Sequence, residues 1–283
     1  MQSIFILTRY DDLIYTTKIF IGPLMKIHQL YTHSILRNFT YLIEMNNKTA
    51  IVIDPWEEGL VNTVLSERDL NLTAIINTHE HWDHTQGNQA LVDTHGCEVW
   101  AHENGQGKIP GLTRVLSTGE IIELENEIQI KVLNTPGHTF AHLCFLLFEK
   151  ERAVAAFTGD TLFNAGVGNC TNGGDAKVMY QTISEQFHTL EDDVLVYPGH
   201  EYLENNLRFT LSLEPDNSQA EVWLAKAVES DPSAQPLTTT IGDERLLNTF
   251  FRLDNPVIRS AVGCEESSDR DVFVALRSRR DNW

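Results

Sequence analysis

The chain has 283 residues, 42% of them hydrophobic and 22% charged, which is material for one large or two modest soluble domains with a real core. Forty acidic against 21 basic side chains give a formal net charge of −19, which speaks against nucleic acid or an anionic membrane as partner, since both need clustered Lys and Arg. The four cysteines (Cys97, Cys144, Cys170 and Cys264) form no Cys-x-x-Cys, so neither a disulfide framework nor a thiolate zinc site is expected, and a cytoplasmic setting fits.

Residues 1–24 hold short apolar patches interrupted by Asp11 and Asp12, with no cleavage pattern and no run long enough to span a membrane. They read as an extension of uncertain start, arising from an upstream start codon or left disordered, and Met25-Lys26-Ile27 reads as the start of the first strand. Thr40–Ile43 and Ala50–Asp54 flank Asn46-Asn47 and predict a hairpin. Leu60, Val61, Val64 and Leu65 have helical spacing, and Ala74–Asn77 is a short apolar strand. Further strands are predicted at Glu98–Ala101, Gln129–Leu133, Leu143–Phe148, Ala153–Thr158 and Val194–Tyr197. Strands alternating with helices and hairpins over 25–200 predict a layered α/β domain. The pattern then turns helical over 201–230, a Pro-bearing stretch follows at 231–236, and residues 201–283 read as a smaller helical domain or lid.

The Ala74–Asn77 strand runs into Thr78-His79-Glu80-His81-Trp82-Asp83-His84, three imidazoles and a carboxylate within six residues. His79 and His81 would face one way on a continuing strand, and Asp83 and His84 would come from the turn. Imidazole with carboxylate suits zinc, iron or manganese better than calcium. A surface histidine run is the plain alternative, but it would carry no interposed aspartate and would not follow an apolar strand. His138, Asp160 and His200 each stand just past a predicted strand and beside a glycine that permits close backbone approach. Asp54, at the end of Ile51–Pro55, is a candidate to orient a ligand histidine or to cap a loop. His28, His33, His95, His102, His142 and His188 read as surface or structural residues.

This order, His-x-His-x-Asp-His and then His, Asp and His, resembles the metallo-β-lactamase superfamily. The resemblance implies an αββα sandwich, two stacked sheets with helices outside and two divalent metals at the sheet edge, zinc before iron or manganese. It places His79, His81 and His138 on one metal, Asp83, His84 and His200 on the other, and Asp160 bridging both. It gives Asp83 and Asp160 catalytic roles around a bridging hydroxide, for which two cations lower the pKa of water. Over residues 25–283 the chain is similar to glyoxalase II (hydroxyacylglutathione hydrolase), most closely at Thr78–Asn88, Phe157–Gly168, Gly199–Tyr202 and Asn205–Leu207. That implies a monomer hydrolysing S-D-lactoylglutathione, the detoxifying step for methylglyoxal, with Tyr202, Arg277 and Arg280 gripping the tripeptide. The plain alternative for Arg277 and Arg280 is a solvated basic helix end.

One stretch departs. After Ala165–Gly168 the family has a basic, an apolar and an aromatic residue, whereas this chain has Asn169-Cys170-Thr171-Asn172. Other readings of the same fold are a persulfide dioxygenase-like iron oxygenase, a hydrolase of another thioester, a nuclease, and a metal-binding relic without activity. The oxygenase needs only part of the ligand set, the nuclease needs a basic groove, and a relic would have lost ligands.

Overall fold

The computed structural model describes residues 25–125 and 127–283, together with the backbone of 3–10 and 13–20. Strands β1 (Ser3–Tyr10) and β2 (Leu13–Phe20) pair antiparallel, and the rest of the extension expected over 1–24 lies outside the described residues.

The first sheet starts with β3 (Met25–Tyr31), β4 (Phe39–Met45) and β5 (Thr49–Ile53), antiparallel neighbours, the last two forming the expected hairpin. Helix α1 (Glu58–Arg68) buries Leu60, Val61, Val64 and Leu65 and ends at Asp69, whose left-handed backbone stops the helix. This crossover lets β6 (Asn71–Ile76) lie parallel to β5. The short α2 (Trp82–Thr85) and α3 (Asn88–His95) lead to β7 (Glu98–His102) and β8 (Leu112–Leu116), both added in parallel. The six strands stand in chain order.

The second sheet is an antiparallel meander of β9 (Ile121–Glu125), β10 (Ile128–Asn134), β11 (Leu143–Glu149) and β12 (Arg152–Gly159). A small hairpin, β13 (Leu162–Phe163) with β14 (Gly166–Val167), and helix α4 (Ala176–Thr182) precede β15 (Leu195–Pro198), which joins β12 in parallel. The edge strands β8 and β9 carry a thin apolar signal because most of their side chains are wholly or partly in solvent.

Ile43, Ile53 and Ile76 of the first sheet meet Ile130, Phe145 and Phe157 of the second in one inter-sheet core. The other face of the first sheet packs on α1 and α3 through Val52, Ile75, Val61 and Leu91. The other face of the second sheet is covered by α4 and by C-terminal helices α5 (Leu203–Leu213), α7 (Ile241–Leu247), α8 (Pro256–Ala261) and α9 (Asp269–Asp281), while α6 (Ser218–Glu229) sets Ala220 against Leu207 of α5 and Leu247 of α7. The layering is the α/β sandwich that the sequence leads one to expect. The final segment is helical too, started by side-chain caps at Thr240, Asn255 and Ser268. Phe209 and Phe273 share a core with Cys144, Leu146 and Val196, so these helices form the outer layer of the second sheet. Burying each phenyl ring contributes roughly 1.5–3 kcal/mol.

Candidate metal centre

Seven polar side chains meet at one edge of the two sheets. Strand β6 stops at Ile76, so the strand does not continue through the histidines, and His79 and His81 stand on the loop that follows it. The cause lies in the next two residues: Thr78 N–H donates to Asp54 Oδ1 at 2.7 Å, and the Asn77 side-chain amide donates to His84 O at 2.8 Å. Asp83 and His84 sit on the helical turn α2 rather than in an open turn. His138 lies in the connection from β10 to β11, Asp160 directly follows β12, and His200 follows β15.

One group holds His79, His81 and His138, with His81 Nδ1 lying 3.0 Å from both His79 Nε2 and His138 Nε2. A second group holds Asp83, His84 and His200, with His84 Nε2 and His200 Nε2 3.3 Å apart and Asp83 Oδ2 at 3.4 and 3.5 Å from them. Asp160 lies between the two: Oδ1 is 3.4 Å from His84 Nε2, and Oδ2 is 3.4 Å from His138 Nε2 and 3.3 Å from His200 Nε2.

The outward nitrogens decide what the inward ones are. His138 Nδ1 lies 2.6 Å from Asn169 O, His81 Nε2 3.2 Å from Asn172 O, and His200 Nδ1 2.8 Å from Leu36 O. A carbonyl only accepts, so these nitrogens carry the protons, and in a neutral ring the inward nitrogen is then a bare lone pair. His84 Nδ1, 2.9 Å from Asp54 Oδ2, repeats the pattern. Burial pushes His79 well below, and His138 below, the ordinary imidazole value, which favours the neutral rings. Lone pairs about 3 Å apart repel unless a cation stands between them. Asp160 Oδ1 is buried without a hydrogen-bond partner among the described residues, a bare anionic acceptor of the kind that suits a cation. At His84, burial opposes a charge, but Asp160, Asp54 and Asp83 together hold its value well above the ordinary one, so the surroundings call for positive charge there. The donor set fits two divalent cations.

Asp54 fills both of the roles open to it from sequence: it faces His84 Nδ1, and it holds the loop by accepting from Thr78 N–H and, at 2.6 Å, from Thr78 Oγ1. Other braces had little signal in the sequence. His142, a structural residue by sequence, is fully buried, stacks on His79 and accepts the Asp160 N–H at 3.1 Å. Asn38 donates to Asp83 Oδ2 at 2.9 Å and to Asp83 O at 3.1 Å; an asparagine at a strand start reads as an ordinary turn residue. Gly199 has no room for a Cβ, which would overlap Asp160 Oδ1 and stand 2.7 Å from His84 Cε1.

The cluster opens into a cavity of about 380 Å³ lined by His81, Asp83, His138, Asp160, Asn169 and Tyr202. A second cavity of about 330 Å³ shares Phe163, Asn169 and Tyr202 with it and is completed by Thr171, Asn206, Arg277, Arg280 and Asp281. Tyr202 stacks flat on His200 at 4.9 Å and meets Phe163 edge-on. Arg277 lines the second cavity but is 5% exposed: Nη1 donates to Val167 O at 2.8 Å and Gly168 O at 3.1 Å, and Nε and Nη2 pair with Asp281. Arg280 makes one long bond, 3.4 Å to Asn206 Oδ1, and lies over the Phe209 and Trp283 rings. Cys170 is not among the residues lining either cavity, packs on Met179, and has its thiol pushed up to about 12 by burial. Behind this wall, buried Glu244 accepts the N–H of Ala165, held at φ 58, and bonds from Thr239 and Asn248.

A family profile described as the metallo-beta-lactamase superfamily matches residues 35–200, and one described as the hydroxyacylglutathione hydrolase C-terminus matches residues 201–283. The chain is 40% identical over 266 residues to the hydroxyacylglutathione hydrolase of Polaromonas sp., covering 92% of this chain and 100% of that one. It is 42% identical over 267 residues to the protein of that name from Nitrosococcus oceani, with the same coverage. Among solved structures it is similar to ETHE1 from Myxococcus xanthus, with a TM-score of 0.64, 25% identity and 90% of each chain covered. The fold is also that of the BLEG-1 B3 metallo-beta-lactamase, with a TM-score of 0.60, 21% identity, and 80% of this chain and 99% of that one covered. Among the described residues no helix is long and apolar enough to cross a membrane. The chain belongs to the hydroxyacylglutathione hydrolase family of the metallo-beta-lactamase superfamily.

Proposed function

We propose that this protein hydrolyses S-D-lactoylglutathione, or a closely related 2-hydroxyacyl thioester, to the hydroxy acid and the free thiol. The observation that carries this reading is the set of inward-facing, unprotonated ligand atoms at the floor of a cavity that shares Tyr202 with the cavity walled by α9. The names of the relatives support it. When bound, two divalent cations, zinc in our reading, would supply a Lewis acid and water of lowered pKa.

The remaining steps fall to the chain. Burial alone would raise the carboxyl of Asp83, but His84 and Asn38 hold it at about 2; the histidines around Asp160 hold its carboxyl well below the ordinary range. Both are therefore ionised acceptors toward an attacking water. Water adds to the thioester carbonyl, the C–S bond breaks, and a proton from that water ends on the departing sulfur. Tyr202, fixed on His200 between the cavities, would orient the acyl-thiol junction, and the guanidinium of Arg280 would face a carboxylate of the carrier. We assign the protein to the cytoplasm as a monomer; four free thiols and the name of an Arabidopsis thaliana relative, a cytoplasmic hydroxyacylglutathione hydrolase, support the location.

Steady-state hydrolysis of S-D-lactoylglutathione by metal-replete protein tests the reading. Turnover is expected, and Asp160→Ala, which removes the carboxylate between the two cation groups, should lower it by roughly 10²–10³-fold, the scale of losing one electrostatic group at the reacting centre. Oxygen consumption in place of thiol release would overturn the assignment.

A further inference from the structure

The loop from β3 to β4 looks unremarkable in sequence, a run of Thr32, His33, Ser34 and Asn38 between two apolar strands. In the fold it is ordered by its own polar atoms. Thr32 N and Oγ1 both donate to Asn38 O, and Ser34 Oγ donates to Asn38 Oδ1 at 2.7 Å while accepting from Asn38 N at 3.0 Å. Asn38 is 1% exposed, and its side-chain amide has one direction left, toward Asp83 Oδ2 and Asp83 O.

Asp83 Oδ2 is the oxygen that faces His84 Nε2 and His200 Nε2, so a donor fixed on it sets the rotation of the carboxylate. The backbone on the same side repeats the grip: Leu36 O accepts from His200 Nδ1, and Phe39 N–H donates to Gly199 O at 2.8 Å. The loop thus touches two members of the Asp83–His84–His200 group. The His79–His81–His138 group is braced elsewhere, by Thr78, Asn169 and Asn172.

We propose that Asn38 is a positioning residue for one cation half-site only: it sets the Asp83 carboxylate for the cation shared with His84 and His200. This rests on the dinuclear reading above. A carboxylate whose rotation is free must be ordered when it binds a cation, and loss of such an outer partner typically weakens metal affinity about 10–100-fold.

The experiment is zinc titration of metal-stripped full-length protein against a chelator, reading both equivalents separately, for wild type, Asn38→Leu and Asn38→Ala. Asn38→Leu nearly keeps the shape and removes the donor without adding a charge beside Asp83. Both variants are expected to bind the first equivalent within about twofold of wild type and the second roughly 10–100-fold more weakly. A second equivalent as tight as in wild type overturns the proposal, and so does equal weakening of both, the mark of a merely structural residue. Should neither variant fold, Ser34→Ala, which removes only the hydroxyl steadying the amide, is expected to weaken the second equivalent alone by about fivefold; no change would overturn the proposal. A wild type that binds no zinc would instead bring down the dinuclear reading itself, and this inference with it.

Discussion

The metal cluster and the wall beside it share Asn169 and Tyr202, yet they are built on opposite principles. In the cluster every inward atom is a lone pair or a carboxylate oxygen, and the outward nitrogens of His81, His84, His138 and His200 each have a fixed acceptor. The side chains are committed to a ligand that must be a cation. In the wall the charges are already committed to the protein: Arg277 to Val167 O, Gly168 O and Asp281, and Glu244 to Ala165. Only Arg280 is held loosely, and the side chains of Asn169 and Thr171 bond to each other. The chemistry of the site is therefore tightly specified, while the proposed grip on a carrier would rest on few free groups.

That contrast can be broken at its strong end first. Gly199→Ala puts a methyl group against Asp160 and His84. It should weaken metal binding roughly 10–100-fold, with a matching fall in turnover at limiting metal. Unchanged zinc affinity would mean that the cluster tolerates displacement and is less committed than its distances imply.

At the wall the two arginines should separate. Arg280→Ala is expected to raise KM about tenfold, the loss of roughly 1.4 kcal/mol, while leaving kcat and thermal stability close to wild type. Arg277→Ala strips two backbone carbonyls of their donor and should lower stability by about 1–3 kcal/mol in denaturant unfolding. If both variants changed KM alone, Arg277 would be a carrier contact and no brace.

The last effect is confined to a pH window and concerns Glu244, whose carboxyl burial pushes from 4.5 up to about 7 against its hydrogen-bond donors. A carboxyl with a raised folded value binds its proton more tightly folded than unfolded. Its contribution is thus fully present below about pH 4.5 and is lost as pH rises through 7, on the order of 3 kcal/mol at most. The stability difference between wild type and Glu244→Gln should shift against wild type between pH 5 and 8. A pH-independent difference would show that Glu244 stays ionised throughout.

The sequence was legible where chemistry restricts residue choice. Three histidines and an aspartate in six residues after an apolar strand admit few uses, and His138, Asp160 and His200 repeat one placement past strand ends. It was illegible where role depends on what the fold brings near. Nothing in the spacing of Asn38 tells that Asp83 will lie against its amide, 45 positions on. The Arg277–Arg280 cluster displays its charge, but not that Val167 and Gly168 present carbonyls to one guanidinium and leave the other loosely held. Strands β8 and β9 were faint for a simpler reason, since edge strands with many positions in solvent carry little apolar period.

The central claim is that the cluster hydrolyses a thioester whose carrier is held in the second cavity. The most direct test is kcat/KM of the zinc-loaded protein on S-D-lactoylglutathione beside the same acyl group on a small thiol without carboxylates. The account predicts turnover of both, with the glutathione thioester favoured about tenfold or more, mainly through KM. Equal kcat/KM for the two, or no hydrolysis of either, would contradict it.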